Sequence, residues 1–374
     1  MHQRSEKKRY YELDVLRFFA AFSVVLFHYT FQGYTAGILS EEFSFISQFS
    51  RYGYLGVDLF FMISGFVILL SASGKPLFHF ATGRAVRLYP TYWFACSLTF
   101  LTILVAQSPH YSADLKQYLT NMSMVHEAFQ VPSIDGVYWS LFVELRFYAL
   151  IGILLLLNQM KRIELFLIAW LFAGILSFNG YQHKVIEFFL FPEWSASFIA
   201  GSLFYIMQRS GFTLLRIALL ITTLVMNLQF SIERQEDIAI FYGQEFNAGV
   251  LVSVIFLFYI VFLGVVRNCF GDFRFKWLVA LGSITYPLYL IHQVIGYIII
   301  EKLNSYMSPL TVLITVMIGM LAVSWGIARY MEPYLSLQLK TALQRLPALN
   351  MALRSSASLY GNLKNVTTKE KKAS

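Results

Sequence analysis

The segment LDVLRFFAAFSVVLFHY (13–29) sets an acid, a base and a histidine into an otherwise apolar run. Arg17 and His28 are eleven residues apart. At about 100° per residue they share one helical face, with roughly 16 Å between them along the axis. Asp14 falls within about 40° of His28 on that face. Three further ionisable residues lie in apolar stretches: Asp58, Glu144 and His292. Counting about 1.5 Å per residue from the ends of those stretches puts all three in one layer with His28, roughly 8 Å below one face of a ~30 Å hydrocarbon core. Arg17, Arg84, Arg87 and Arg329 gather near the opposite edge.

The two layers suit different chemistry. A histidine oriented by a carboxylate takes a proton from a hydroxyl, which makes His28 the candidate base and Glu144 and Asp58 its candidate partners. Arginine presents a planar fork to phosphate oxygens, which makes Arg17, Arg84 and Arg87 a candidate phosphate anchor. An amphipathic molecule with a phosphate head and a long thin arm would be held at one end and react at the other. Acyl-CoA has that shape, and acyl transfer is the chemistry expected, provided one continuous cavity joins the two ends.

These residues need a scaffold, and composition names its kind. Of 374 residues, 57% are apolar, 17% aromatic and 13% charged. An ordinary soluble domain carries about twice that charge. Runs of mostly apolar residues, of about bilayer-spanning length except that the fifth is short and Pro192 and Glu193 interrupt the start of the sixth, occur near 13–32, 53–72, 88–107, 138–157, 163–178, 188–207, 212–229, 247–266, 277–300 and 309–330. The expected fold is an all-α polytopic membrane bundle of about ten transmembrane helices with both termini cytosolic. With that orientation, 21 of the 29 Lys and Arg residues fall in cytosolic segments and five in external loops, one to each loop. Such asymmetry is the positive-inside pattern, and an odd number of spans would scramble it.

The formal charge of +8 is thereby explained without a nucleic-acid partner. Asp14 and Arg17 interrupt what would be the apolar region of a cleaved signal peptide, so the first run is read as a retained span. The expected organisation is a basic cytosolic N-terminus (1–12), a membrane domain (13–333) and a basic cytosolic tail (334–374). The tail reads as an interfacial helix near 335–354 followed by a disordered end. His79, His110, His126 and His183 stand singly in loops, and no metal-ligand spacing occurs, so no metal is expected. Cys96 and Cys269 lie in separate apolar stretches and suggest no disulfide framework. Two rival readings remain. One is a proton-coupled secondary transporter with His28, Glu144 and Asp58 as its relay; the other is a binding or scaffold protein of envelope synthesis. The transporter does not account for the arginine layer.

Six segments, in order, resemble the membrane acyltransferase-3 family, whose members O-acetylate bacterial surface saccharides. They are LDVLRFFAAFSVVLFH (13–28), GYLGVDLFFMISGFV (53–67), RAVRLYP (84–90), VYWSLFVELRFY (137–148), GSITYPLYLIH (282–292) and Met331-Glu332-Pro333. The likeness covers about residues 10–335. It implies a ten-helix domain of the bacterial inner (cytoplasmic) membrane that takes acyl-CoA, usually acetyl-CoA, from the cytosol. It further implies that Arg17 and His28 are essential, that Arg84 and Arg87 help hold the donor, and that Glu144 supports the centre. The acceptor implied is a saccharide or lipid-linked saccharide. Some relatives carry an added esterase-like domain outside the membrane. A short basic tail stands in that place here, so the acceptor is reached by the membrane domain alone or through a separate periplasmic partner.

Overall fold

The computed structural model describes residues 10–271 and 276–346. Among them the chain forms helices and turns, with no strand. That is the form apolar chains take in lipid, where helices satisfy their own backbone hydrogen bonds. The principal helices, in chain order, are α1 (Tyr11–Phe27), α2 (Gly56–Ala72), α3 (Leu77–Ala106), α4 (Trp139–Leu156), α5 (Ile163–Phe178) and α6 (Pro192–Ser210). They are followed by α7 (Leu214–Tyr242), α8 (Ala248–Val266), α9 (Lys276–Ile291), α10 (Gln293–Leu303), α11 (Pro309–Gly326) and α12 (Glu332–Arg345). A π-helical turn, His28–Gln32, continues α1. Such turns widen a helix locally and recur at functional sites.

Seven helical segments among the described residues are long and apolar enough to cross a membrane, or eight if the bent pair α9–α10 is one span. Ten runs were expected, and the differences have physical causes. The run 163–178 forms α5, which has 16 residues and is short for a bilayer. The run 188–207 is interrupted at Phe191, whose φ of 34° separates the short helix Lys184–Leu190 from α6. Helix α6 also carries Ser195, Ser197, Gly201 and Ser202 and is buried from Ser195 to Met207. A helix enclosed by other helices needs less apolar surface than one that meets lipid. The run near 277–300 bends by 71° between Trp277–Ile291 and Gln293–Leu303. The run near 212–229 continues as helix to Tyr242 and carries Arg234, expected in a loop, into the bundle.

Helices α2 and α6 approach closely at two glycines. A Cβ on Gly65 would meet the Phe198 carbonyl, and one on Gly201 would meet the Met62 carbonyl. Small residues at such crossings let backbones touch, the usual packing device between helices in lipid. Gly201→Val is therefore expected to destabilise the protein by about 1–3 kcal/mol, the usual cost of overpacking. A lowered thermal midpoint in detergent would show this, and an unchanged midpoint would contradict it.

Helix α12 packs on α3 at the RAVR segment, where the Ser336 hydroxyl donates to the Val86 carbonyl at 3.0 Å. It covers the first part of the expected interfacial helix. The rest of that helix, the tail beyond 346 and residues 1–9 of the basic N-terminus lie outside the described residues.

Candidate functional site

Two cavities flank α1. The arginine cavity, about 820 Å³ and partly open, is lined by Arg17, Arg84, Arg87, Ser64, Glu144 and Tyr286 among others. The histidine cavity, about 1000 Å³, is lined by residues that include His28, Gln32, Trp139, Trp194, Arg234 and Gln293. Val57 and Tyr289 line both. Where one continuous cavity was expected from the sequence, the structure has two separate spaces with these side chains as a shared wall. Tyr289 is held there by a hydroxyl–hydroxyl hydrogen bond with Ser140 at 2.7 Å and an edge contact with Phe60, ring centroids 5.5 Å apart.

In the arginine cavity, Arg17 donates to Asp14 at 3.3 Å within α1. None of the salt bridges among the described residues involves Arg84 or Arg87. The Ser64 hydroxyl donates to the Glu144 carboxylate. Three guanidiniums and one carboxylate, Glu144, line the cavity, while Asp14 pairs with Arg17 and Glu332 lies near Arg87; the lining itself thus carries surplus positive charge that suits a polyanion. Arg329, expected in the same layer, is exposed and lines neither cavity.

Glu144 lines the arginine cavity and not the histidine cavity. It lies eight residues into the segment Gly136–Leu156. At about 1.5 Å per residue that is roughly 12 Å, close to mid-membrane, where the arginine cavity reaches it.

His28 is buried, and its side-chain hydrogen-bond partner is neither Glu144 nor Asp58. Its Nδ1 lies 2.9 Å from Nε2 of His292, a residue 264 positions away in the chain. The Val24 carbonyl, one turn earlier on α1, is another polar neighbour. Nδ1 of His292 faces the carbonyls of Tyr289 at 2.8 Å and Leu288 at 3.2 Å. The Tyr297 hydroxyl donates to the His28 carbonyl at 3.1 Å.

Asp58 has a different partner: Nη2 of Arg234 donates to both its carboxylate oxygens, at 2.8 and 2.9 Å. Arg234 also pairs with Glu193 at 3.2 Å and lies 3.9 Å from the Trp194 ring centre. The contact with His28 that was expected of Glu144 and Asp58 is made in this arrangement by His292. The reason is tertiary: the bend between α9 and α10 brings His292 against α1, while the extension of α7 delivers a cation to Asp58.

Sequence reasoning left Arg234, Gln32, Gln293 and Tyr289 out of the site. Gln293 donates to Gln32 at 3.2 Å, and Gln32 donates to the Tyr242 hydroxyl at 2.7 Å, so two amides bridge three helices on the cavity wall. Trp139 and Trp194 stand with ring centroids 4.9 Å apart. The signal that could have found the amides is their position within apolar runs, where a polar side chain needs a partner.

Near the mouth of the histidine cavity, Asp135 is wholly buried and accepts from the backbone N–H groups of Val137 at 3.2 Å and Val294 at 3.1 Å. Burial pushes its carboxyl up to about 7 despite those donors. The folded chain then holds a proton that the unfolded chain has lost between pH about 4 and 7, so this group's contribution to stability falls as pH rises through that window. His126, held down to about 4 by burial, acts in the opposite sense as pH falls below its ordinary range. The test is thus a difference between chains. Relative to Asp135→Asn, the parent is expected to lose on the order of a few kcal/mol from pH 4.5 to 8, read from thermal midpoints in detergent. Parallel pH profiles for the two chains would contradict this.

A cavity with surplus cationic charge and a cavity with a buried histidine, both reached by one helix, are what a donor site and a reacting centre require. Searches against curated proteins and against solved structures return no match. The family model described as "Acyltransferase domain" matches residues 10–329. That span covers most of the chain and contains both cavities, and the protein belongs to the acyltransferase-3 family.

Proposed function

We propose that the protein is an O-acyltransferase of the bacterial inner membrane, moving an acyl group, in the first instance acetyl, from cytosolic acyl-CoA to a hydroxyl of a lipid-linked or cell-surface saccharide. The observation that carries this is that α1 contributes Arg17 to one cavity while the π-helical turn continuing it contributes His28 to the other, with Val57 and Tyr289 as the wall the two cavities share. Arg17, Arg84 and Arg87 bind the phosphates of the donor. The pantetheine arm runs toward Val57 and Tyr289 and brings the thioester to His28.

His28 accepts the hydroxyl proton as the acceptor oxygen bonds to the acyl carbon, or it carries the acyl group in passing. In either route the carbon–sulfur bond breaks and the CoA sulfur ends with the proton. Glu144 supports the arginine cavity from mid-membrane. Asp58 shapes the histidine cavity through Arg234. The positive-inside bias supports ten crossings, with α5 and α6 counted among them and both termini cytosolic. In that orientation the arginine cavity faces the cytosol and the histidine cavity the periplasm, where the acceptor, or a separate transfer partner, is met.

Purified protein in detergent, incubated with labelled acetyl-CoA, tests the reading. Saturable binding displaced by CoA, or slow release of CoA, is expected. Neither signal, together with proton-driven solute uptake in vesicles, would replace it with a transporter.

A further inference from the structure

We propose that His292 is a positioning residue for acyl transfer, fixing the tautomer of His28 so that Nε2 presents its lone pair to the histidine cavity. This inference rests on His28 as the reacting base or acyl carrier.

The argument begins at the bend between α9 and α10. Breaking a helix frees backbone groups that need partners. The Leu290 carbonyl accepts from the Tyr138 hydroxyl at 3.3 Å, and the Val294 N–H donates to Asp135 at 3.1 Å. The Tyr289 carbonyl faces Nδ1 of His292 at 2.8 Å, and the Leu288 carbonyl faces the same nitrogen at 3.2 Å. Carbonyl oxygens only accept, so that nitrogen carries a hydrogen. A neutral imidazole has one N–H, which leaves Nε2 of His292 with a lone pair.

That lone pair lies 2.9 Å from Nδ1 of His28, so Nδ1 of His28 is the donor. Its Nε2 is then the basic nitrogen, on a ring that lines the cavity. The alternative, an imidazolium at His292, would bury a charge with carbonyls and a second imidazole as its partners, which is costly.

The partner is itself held firmly. The Tyr29 hydroxyl donates to the His292 carbonyl at 2.6 Å, and that hydroxyl occupies the space a Cβ on Gly296 would need. The arrangement performs what a carboxylate does in a hydrolase triad, choosing the tautomer of the base, without placing a charge in the bundle. When an acceptor hydroxyl gives its proton to Nε2, the bond from Nδ1 to His292 becomes charge-assisted and strengthens. If His28 instead carries the acyl group, the same nitrogen attacks, and the same tautomer is required.

Three variants and one spectroscopic measurement test this. His292→Leu removes the side-chain acceptor, leaving the Val24 carbonyl, and is expected to lower kcat roughly 100-fold, within what a positioned base supplies, with little change in the KM for acetyl-CoA. His292→Gln keeps a carbonyl that accepts from Nδ1, and most of the loss should be recovered. In the parent protein, nitrogen NMR of labelled histidine, assigned with His28→Ala, should show His28 protonated at Nδ1.

Full activity in His292→Leu, a Gln variant as slow as the Leu variant, or a His28 protonated at Nε2 would each overturn the inference. The NMR result stands even if the Leu variant misfolds. An active His28→Ala chain would instead remove the reading on which the inference rests, so the two failures are distinguishable.

Discussion

His28→Ala is expected to lower acyl transfer by about 10²- to 10⁴-fold, the range a positioned general base supplies, while the protein still inserts and folds. The ring lines the edge of a large cavity rather than the centre of the packed bundle. Its loss therefore enlarges an existing space instead of opening a new void. Nε2 of His292 loses a donor, and water from the cavity can replace it. The donor site proposed above lies in the other cavity, so acetyl-CoA binding should persist at near-parental affinity. Turnover with any accepted acceptor, measured beside donor binding and thermal midpoint, separates the outcomes. Retained turnover would exclude His28 from the chemistry, and lost binding would mean that the two cavities are not functionally separate.

Replacing Arg84 and Arg87 together by Gln is expected to raise the acetyl-CoA requirement by roughly 100-fold or more. Each charge-assisted hydrogen bond contributes about 1.5–3 kcal/mol, or about tenfold or more in affinity. Arg84 and Arg87 are the informative pair because neither belongs to a salt bridge among the described residues, whereas Arg17 is partnered by Asp14. Arg84 hydrogen-bonds Tyr148 and Arg87 has Glu332 nearby, but each guanidinium has five N–H donors, so donors remain for an external anion. Equilibrium binding of labelled acetyl-CoA, read at two salt concentrations, reports the effect. The parent should weaken with salt more steeply than the variant. Equal affinities in the two proteins would remove both arginines from the donor site.

Much of this arrangement was legible in the sequence because it depends on local periodicity. Arg17 and His28 lie on one helix, and the 3.6-residue repeat alone relates their faces, whatever surrounds them. The apolar runs announced helices for the reason that backbone groups in lipid have few other options. What stayed hidden is tertiary. His292 meets His28 across 264 residues through a bend that no local pattern marks. Arg234 reached Asp58 because α7 continues past the end of its apolar run, carrying charged residues on helical backbone. Helix α6 carries serines and glycine where a lipid-facing span would be apolar, since its neighbours, not lipid, surround it. Glu144 was grouped with His28 because counting along one helix gives height in the membrane and says nothing about which cavity the side chain lines.

The central claim is that a donor anchored by arginines delivers its acyl end past Val57 and Tyr289 to His28. Photolabelling with a CoA thioester bearing a short diazirine acyl chain, followed by mass spectrometry of the adducts, tests it most directly. The account predicts adducts on residues around that junction, Val57, Tyr289 and the neighbours of His28, abolished by excess CoA and by the Arg84 and Arg87 double replacement. Adducts confined to outward-facing helix surfaces, or unaffected by CoA, would contradict it.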